Sequence, residues 1–297
     1  MPWPVDRCII CLRAPREDDS LSQLTDAHVI PEALGGELSA RFLCKRCNSE
    51  MGRVEGQLPR DVAIIELVRR LQAELPEELV RGVLPHAGWF ADSEEYGRLE
   101  GSDSREGEFA LRESATIRSD ENIRRQIRAE LERRGVQAEQ IEAKVAEFEH
   151  ADDGASLEIA PGFTVTKHID LGGVSFERTY AEPLAPRAIM LGIAYTFLAL
   201  VLEEGVYGAE LEPARAVLRQ VVDRDTTAAD SWPIDCLRTS SPAETKHALA
   251  VLRENGGVKV RIWFFRELVW DVRFQNVEVP AEPFYLLDLV TKEESVA

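Results

Sequence analysis

Apolar and polar positions alternate along this chain with two periods, and each change of period predicts a change of element. Ile64, Leu67, Val68 and Leu71 recur at i, i+3, i+4 and i+7, with Glu66 and Arg70 one turn apart on the polar side. That pattern predicts a helix of about 16 residues opening at Pro59 and stopped by Pro76. Ala188 to Leu202 is a nearly uncharged run of 15 residues, with Pro186 before it and Gly205 after it. It falls short of the roughly 20 residues that span a bilayer, so a buried core helix from Pro186 to about Glu203 is expected. Pro213 to Val222 predicts another helix, and Ser241-Pro242-Ala243-Glu244 has the form of a capping box opening a helix to about Arg253.

Between these lie segments of period two. Ser156–Ala160, Phe163–Ile169 and Val174–Tyr180 read as strands, with Gly172-Gly173 as a turn. Val258–Phe265 and Leu268–Phe274 read as an apolar hairpin, and Phe284–Val290 as a last strand. Trp89-Phe90 and Phe109 to Leu111 are short strand candidates in a stretch rich in Gly, Ser and acids. Ser119 predicts the cap of a helix to about Arg134, ended by Gly135, and a second helix fills Ala138 to Glu149. Arg124, Arg125, Arg128, Arg133 and Arg134 alternate with Glu121, Glu130 and Glu132, the pattern of a salt-bridged surface helix. With few large apolar residues, this helix pair is expected to project from the body.

The 297 residues are 44% hydrophobic and 30% charged, a globular composition with length for two domains. The formal net charge of −18 opposes wholesale wrapping of a polyanion, so any nucleic-acid chemistry is expected in a local patch. Residues 1–60 hold 8 Lys and Arg against 9 Asp and Glu, so almost all the negative charge lies beyond them. Arg41, Lys45, Arg46, Arg53 and Arg60 cluster there, either as phosphate contacts or as a solvated face. No signal peptide opens the chain and no membrane span is found, so a cytoplasmic protein is expected.

Four of the five cysteines form two CxxC pairs, Cys8/Cys11 and Cys44/Cys47, with 32 residues between them. Four thiolates from two knuckles predict one closed tetrahedral Zn²⁺, structural rather than catalytic. In a segment too small for a large core, the metal supplies much of the folding free energy. Cys236 stands apart and is expected to be a buried free thiol, and His86, His150, His168 and His247 to be structural or exposed.

Between the knuckles runs Thr25-Asp26-Ala27-His28-Val29-Ile30-Pro31-Glu32-Ala33-Leu34-Gly35-Gly36, and the second knuckle continues as Cys44-Lys45-Arg46-Cys47-Asn48. The local signals are a strand ending in His28, a turn and return, then a helix with Asn48 on its first turn. Over about residues 6–55 the sequence resembles the HNH endonucleases, which are ββα-metal nucleases. The resemblance implies a ββα-metal, treble-clef-like fold, with His28 as general base for hydrolysis of DNA and Asn48 as a ligand of Mg²⁺ or another divalent ion.

Two positions depart from that pattern. Ala27 occupies the place before the base, where an acidic or His ligand is usual, and no Asn stands upstream of Cys44, where many members of the family have one. Neighbouring strand residues face opposite ways, so Asp26 replaces that ligand only if the strand is twisted or bulged; Glu50 or Glu55 on the following helix are the other sources of oxygen. Two readings therefore stand. One is a metal-dependent HNH endonuclease with catalytic His28, structural zinc on Cys8, Cys11, Cys44 and Cys47, and a catalytic ion on Asp26 and Asn48. The other is a catalytically degenerate zinc-binding interaction or nucleic-acid-binding module, which Ala27 favours. The expected fold class is α+β: a zinc-stabilised domain over 1–58 and a larger α+β domain over 59–297 of unread role, through whose acidic surface a protein partner or self-association is compatible.

Overall fold

In a computed structural model the described residues are 5–84, 98–101, 111–117, 120–133, 136–160, 163–168, 173–180 and 185–296. They are mixed helix and strand, as the α+β class requires, and divide into two compact units: residues 1–86 with 183–297, and residues 87–182.

The first unit begins with the knuckle Cys8–Cys11. An antiparallel hairpin follows, β1 (Leu24–His28) and β2 (Ser39–Cys44), leading directly into α1 (Lys45–Glu55). Its loop needs two glycines. Gly35 sits at φ 82°, and a Cβ on Gly36 would lie 1.9 Å from the Ile30 carbonyl oxygen. Cys47, Met51 and Val54 form the buried stripe of α1. α2 (Val62–Leu71) and α3 (Glu77–Val83) come next. α2 starts later than Pro59 predicts because Asp61 is its cap, one carboxylate oxygen accepting from the Ala63 and Ile64 N–H groups. The other oxygen accepts from Ala185 N–H, 124 residues away. α2 ends at Leu71, before the expected stop at Pro76, and Pro76 instead precedes the first residue of α3.

The chain returns to this unit as α6 (Arg187–Leu202), buried continuously from Ala188 to Ala199, and α7 (Glu212–Val222). By length and composition Arg187–Tyr207 could cross a membrane, but it is mostly buried within the protein. α6 packs on an antiparallel sheet made of β8 (Ile234–Arg238), β9 (Lys246–Glu254), β10 (Gly257–Phe264), β11 (Leu268–Gln275), β12 (Phe284–Asp288) and β13 (Glu294–Val296), in the order β13-β12-β9-β10-β11-β8.

β9 corrects the helix expected after the Ser241 capping box. His247 to Val251 are all buried, and the segment pairs with β12 on one side and β10 on the other. A short apolar run carries no periodicity that separates a doubly covered strand from a buried helix. Asn255-Gly256 is the two-residue turn of the β9–β10 hairpin, with Gly256 at φ 86°, rather than a helix stop. Cys236, on edge strand β8, is half-buried rather than buried.

The second unit holds α4 (Asp120–Arg133), α5 (Ala138–Glu149) and an antiparallel sheet of β3 (Arg98–Gly101), β4 (Leu111–Ile117), β5 (Ser156–Ala160), β6 (Phe163–His168) and β7 (Gly173–Tyr180), in the order β3-β4-β7-β6-β5. The helix pair does not project. Ile123, Ile127 and Leu131 close one core with Ile141, Val145, Phe148, Phe163 and Val165. Its outer side is salt-bridged as expected, by Arg128–Glu142 and Arg124–Glu149. Trp89-Phe90, His86, Ser119, Arg134, Gly135, Ile169 and Gly172 lie outside the described residues.

The expected boundary at 58/59 is not where the compact units part. Residues 7–58 are stitched to 185–296 by polar bonds: Tyr195 donates to the Ile9 carbonyl at 2.7 Å and His247 Nε2 lies 3.0 Å from the Leu34 carbonyl, both buried, and Tyr207 donates to the Arg7 carbonyl at 2.8 Å in a partly buried setting. A segment of that size exposes too much of its own apolar surface to stand alone, and α1 buries its stripe on α6 and α7.

Candidate metal centre and hydrolytic site

The two knuckles meet. The four Sγ atoms of Cys8, Cys11, Cys44 and Cys47 lie within 4.8 Å of one another, with Cys11 and Cys44 at 3.7 Å. Tetrahedral Zn–S bonds of about 2.3 Å put ligand sulfurs about 3.8 Å apart, so the donor set and its spacing fit a structural metal such as zinc. Among the described residues this is the one group of three or more His, Cys, Asp or Glu side chains that converges so. The first knuckle closes on a Leu12 N–H to Cys8 carbonyl bond of 2.9 Å, with Leu12 itself at φ 61°. The sulfurs compete for protons. Hydrogen bonding from Cys44, Cys47 and Cys8 holds the Cys11 thiol well below the ordinary range, while contacts with Cys11, Cys44 and Cys8 push Cys47 far above it. Such a cluster accepts four negative charges only around a cation.

The hairpin carries the second site. Thr25 pairs with Leu43 but Asp26 with Arg41, so Phe42 is an extra residue bulged out of the β2 register. Its carbonyl accepts from Ile9 N–H at 3.1 Å, which ties the bulge to the first knuckle. Beyond the bulge the faces separate cleanly. Ala27 and Ala40 are paired and buried, while Asp26, His28, Ser39 and Arg41 lie on the outer side, with His28 opposite Ser39. A carboxylate at position 27 would point into the core. Asp26 is exposed, His28 half-buried, and among the described residues neither side chain has a hydrogen-bonding or ionic partner.

Asn48 is placed by two bonds to β1. Its Nδ2 donates to Thr25 Oγ1 at 3.1 Å and to the Asp26 carbonyl at 3.0 Å. Thr25 Oγ1 donates in turn to the Leu43 carbonyl at 3.2 Å, so it accepts from Asn48, and a carbonyl can only accept. The network therefore fixes the amide with its nitrogen toward the strand and leaves Oδ1 as the free acceptor.

The two helix carboxylates differ. Glu50 is engaged by Arg53 at 3.0 Å and Arg224 at 3.4 Å, and these cations hold its carboxyl below the usual range. Glu55 lies two turns beyond Asn48 on the same face, without a charged partner among the described residues, and burial pushes its carboxyl up to about 7. Between them Gly52 faces open space.

The loop leaving His28 is anchored from the six-stranded sheet. His247 is fully buried on β9; its Nδ1 accepts from Phe265 N–H at 3.2 Å, so Nε2 carries the proton given to Leu34. Burial pushes its pKa down to about 4. Sequence reasoning left this histidine without a role, and nothing in its neighbourhood in sequence points to Leu34.

Residues 8–60 match the HNH endonuclease family. No curated protein and no solved structure matches the chain.

Proposed function

Taking the HNH nuclease-like module of residues 8–60 as the premise, we propose that this protein is a metal-dependent endonuclease that hydrolyses phosphodiester bonds in DNA. The observation that carries the reading is the orientation of Asn48, whose amide nitrogen is spent on β1 and whose oxygen is left for a ligand beside Asp26. Cys8, Cys11, Cys44 and Cys47 hold a structural Zn²⁺, and Asp26 and Asn48 supply hard oxygen donors suited to Mg²⁺ or a similar ion. Bound there, that ion would offset negative charge on the leaving oxygen.

His28 is the general base. Its imidazole, without a partner among the described residues, takes a proton from water; the water oxygen bonds to phosphorus, and the bond to the leaving sugar oxygen breaks. Asn48 orients the ligand oxygen, and the His247–Leu34 bond holds the loop that follows the base. A reducing compartment keeps four such cysteines available as metal ligands, which supports a cytoplasmic location.

The competing reading is a zinc-stabilised binding module without hydrolytic activity, for which Ala27 speaks. A plasmid-nicking assay with Mg²⁺ or Mn²⁺ separates the two. The parent is expected to nick, and His28→Ala to lose about 10²- to 10⁴-fold in rate at unchanged zinc content. A parent inert with every divalent ion, or a variant that nicks equally well, defeats the enzyme reading.

A further inference from the structure

The five cations around the second knuckle are not equivalent. Arg46 is neutralised by Asp223 at 2.6 Å and Arg53 by Glu50 at 3.0 Å. Among the described residues Arg41, Lys45 and Arg60 form no ion pair, but of these three only Arg41 is anchored: its Nε donates to the Leu24 carbonyl at 3.0 Å, with Asp26 directly across the hairpin. One bond to the backbone immobilises the guanidinium while leaving the N–H groups of both terminal nitrogens to solvent, a planar fork that matches two oxygens of a phosphate. The cross-strand neighbours of Arg41 are Asp26 and, one outward position along, the Ser39–His28 pair.

We propose that Arg41 is the substrate-binding residue that grips the phosphodiester, presenting it to His28 on the outer face of the β1–β2 hairpin. This inference rests on the nuclease reading and names the group that positions its substrate. The Phe42 bulge is what permits it, because the bulge sets Arg41, instead of Phe42, opposite Asp26. Cation-binding oxygens on one strand and an anion-binding fork on the other suit a phosphate together with its counter-ion.

The test uses the full chain. In a His28→Ala background, binding of a short fluorescent DNA duplex is followed by anisotropy across a salt series. Arg41→Gln is expected to weaken binding about tenfold and to lower the slope of log affinity against log salt by about 1. Arg41→Lys keeps the charge but not the fork, so it is expected to retain the slope and lose part of the affinity. With His28 restored, both variants are expected to cut more slowly at low DNA concentration, Arg41→Gln by at least about tenfold, with zinc content unchanged. Should Arg41→Gln fail to fold, Arg41→Lys carries the test. Parental affinity, slope and cutting in either variant overturn the assignment, as does a parent that binds no duplex. A parent that binds with the expected Arg41 dependence but never cuts leaves this assignment standing and removes the nuclease reading instead.

Discussion

One β-hairpin serves two polar sites of opposite design. Where its strands end, β2 runs into the second knuckle, a closed set in which four sulfurs converge and three of the four cysteines are buried. Toward its loop, Asp26 and His28, with Asn48 from α1, form an open set whose side-chain atoms do not complete one another. The closed set satisfies a cation wholly with protein atoms, so its binding free energy is available as folding free energy. The open set leaves positions for water and a ligand, so on the proposed reading it contributes little to stability and much to chemistry. On that reading the four-sulfur site lies close by because it supplies the rigidity that a reactive site needs.

That contrast can be broken by substitution, and the largest effect is expected at the four-sulfur site. Cys44→Ser should abolish metal binding and unfold residues 8–60, since structural zinc is worth on the order of 10 kcal/mol. Elemental analysis and the loss of the hairpin's amide protection from hydrogen exchange measure this; full metal loading would refute a four-sulfur site. His28→Ala should do the reverse, removing nicking while melting temperature and metal content stay put, and a large drop in melting temperature would show that His28 is structural.

A smaller effect concerns the buttress. His247 has a folded pKa of about 4 against an ordinary 6.5, so the unfolded chain binds more protons in that window. Its contribution is complete above pH 6.5 and is lost as pH falls through about 4, a loss of about 3 kcal/mol. Denaturant titrations at stepped pH should show this decline, and His247→Gln should flatten it. Glu55 works the other way: its carboxyl, raised to about 7 from 4.5, costs stability as pH rises across that interval, and Glu55→Gln should remove that slope. The smallest change expected is Tyr195→Phe, which deletes the bond to the Ile9 carbonyl in a buried setting. About 1–2 kcal/mol should be lost, read from the denaturant midpoint, with the metal retained. Loss of metal from this variant would show that the knuckle depends on α6 for its geometry.

The site's residues were more legible than the fold around them. The CxxC spacing, the strand stop at His28 and the place of Asn48 one residue past Cys47 are local relations, and the structure has those elements in that order. The helix expected at Pro59 failed by a turn because a side-chain cap outweighs a proline's φ preference, and Asp61 was there to be read. β9 failed for a deeper reason. Lys246–Glu254 is covered on both faces, so it lost the alternation that marks a strand, and only the Asn255-Gly256 turn signalled a hairpin. The domain boundary failed because the bonds that fuse 8–58 with 185–296 join residues about 180 to 210 positions apart, as in Tyr195–Ile9 and His247–Leu34.

By itself the amino-acid order determined which atoms are available: four thiols in two knuckles, one imidazole, one amide and a buried apolar helix, all set by neighbours a few bonds away. Tertiary structure alone decided how they face. Where β2 bulges, the Phe42 carbonyl accepts from Ile9 N–H, and Asp26 lies opposite Arg41 instead of Phe42. A one-residue slip in a β-ladder reverses every side chain beyond it, and the partner of the bulged residue here lies 33 residues away, beyond the reach of any local pattern.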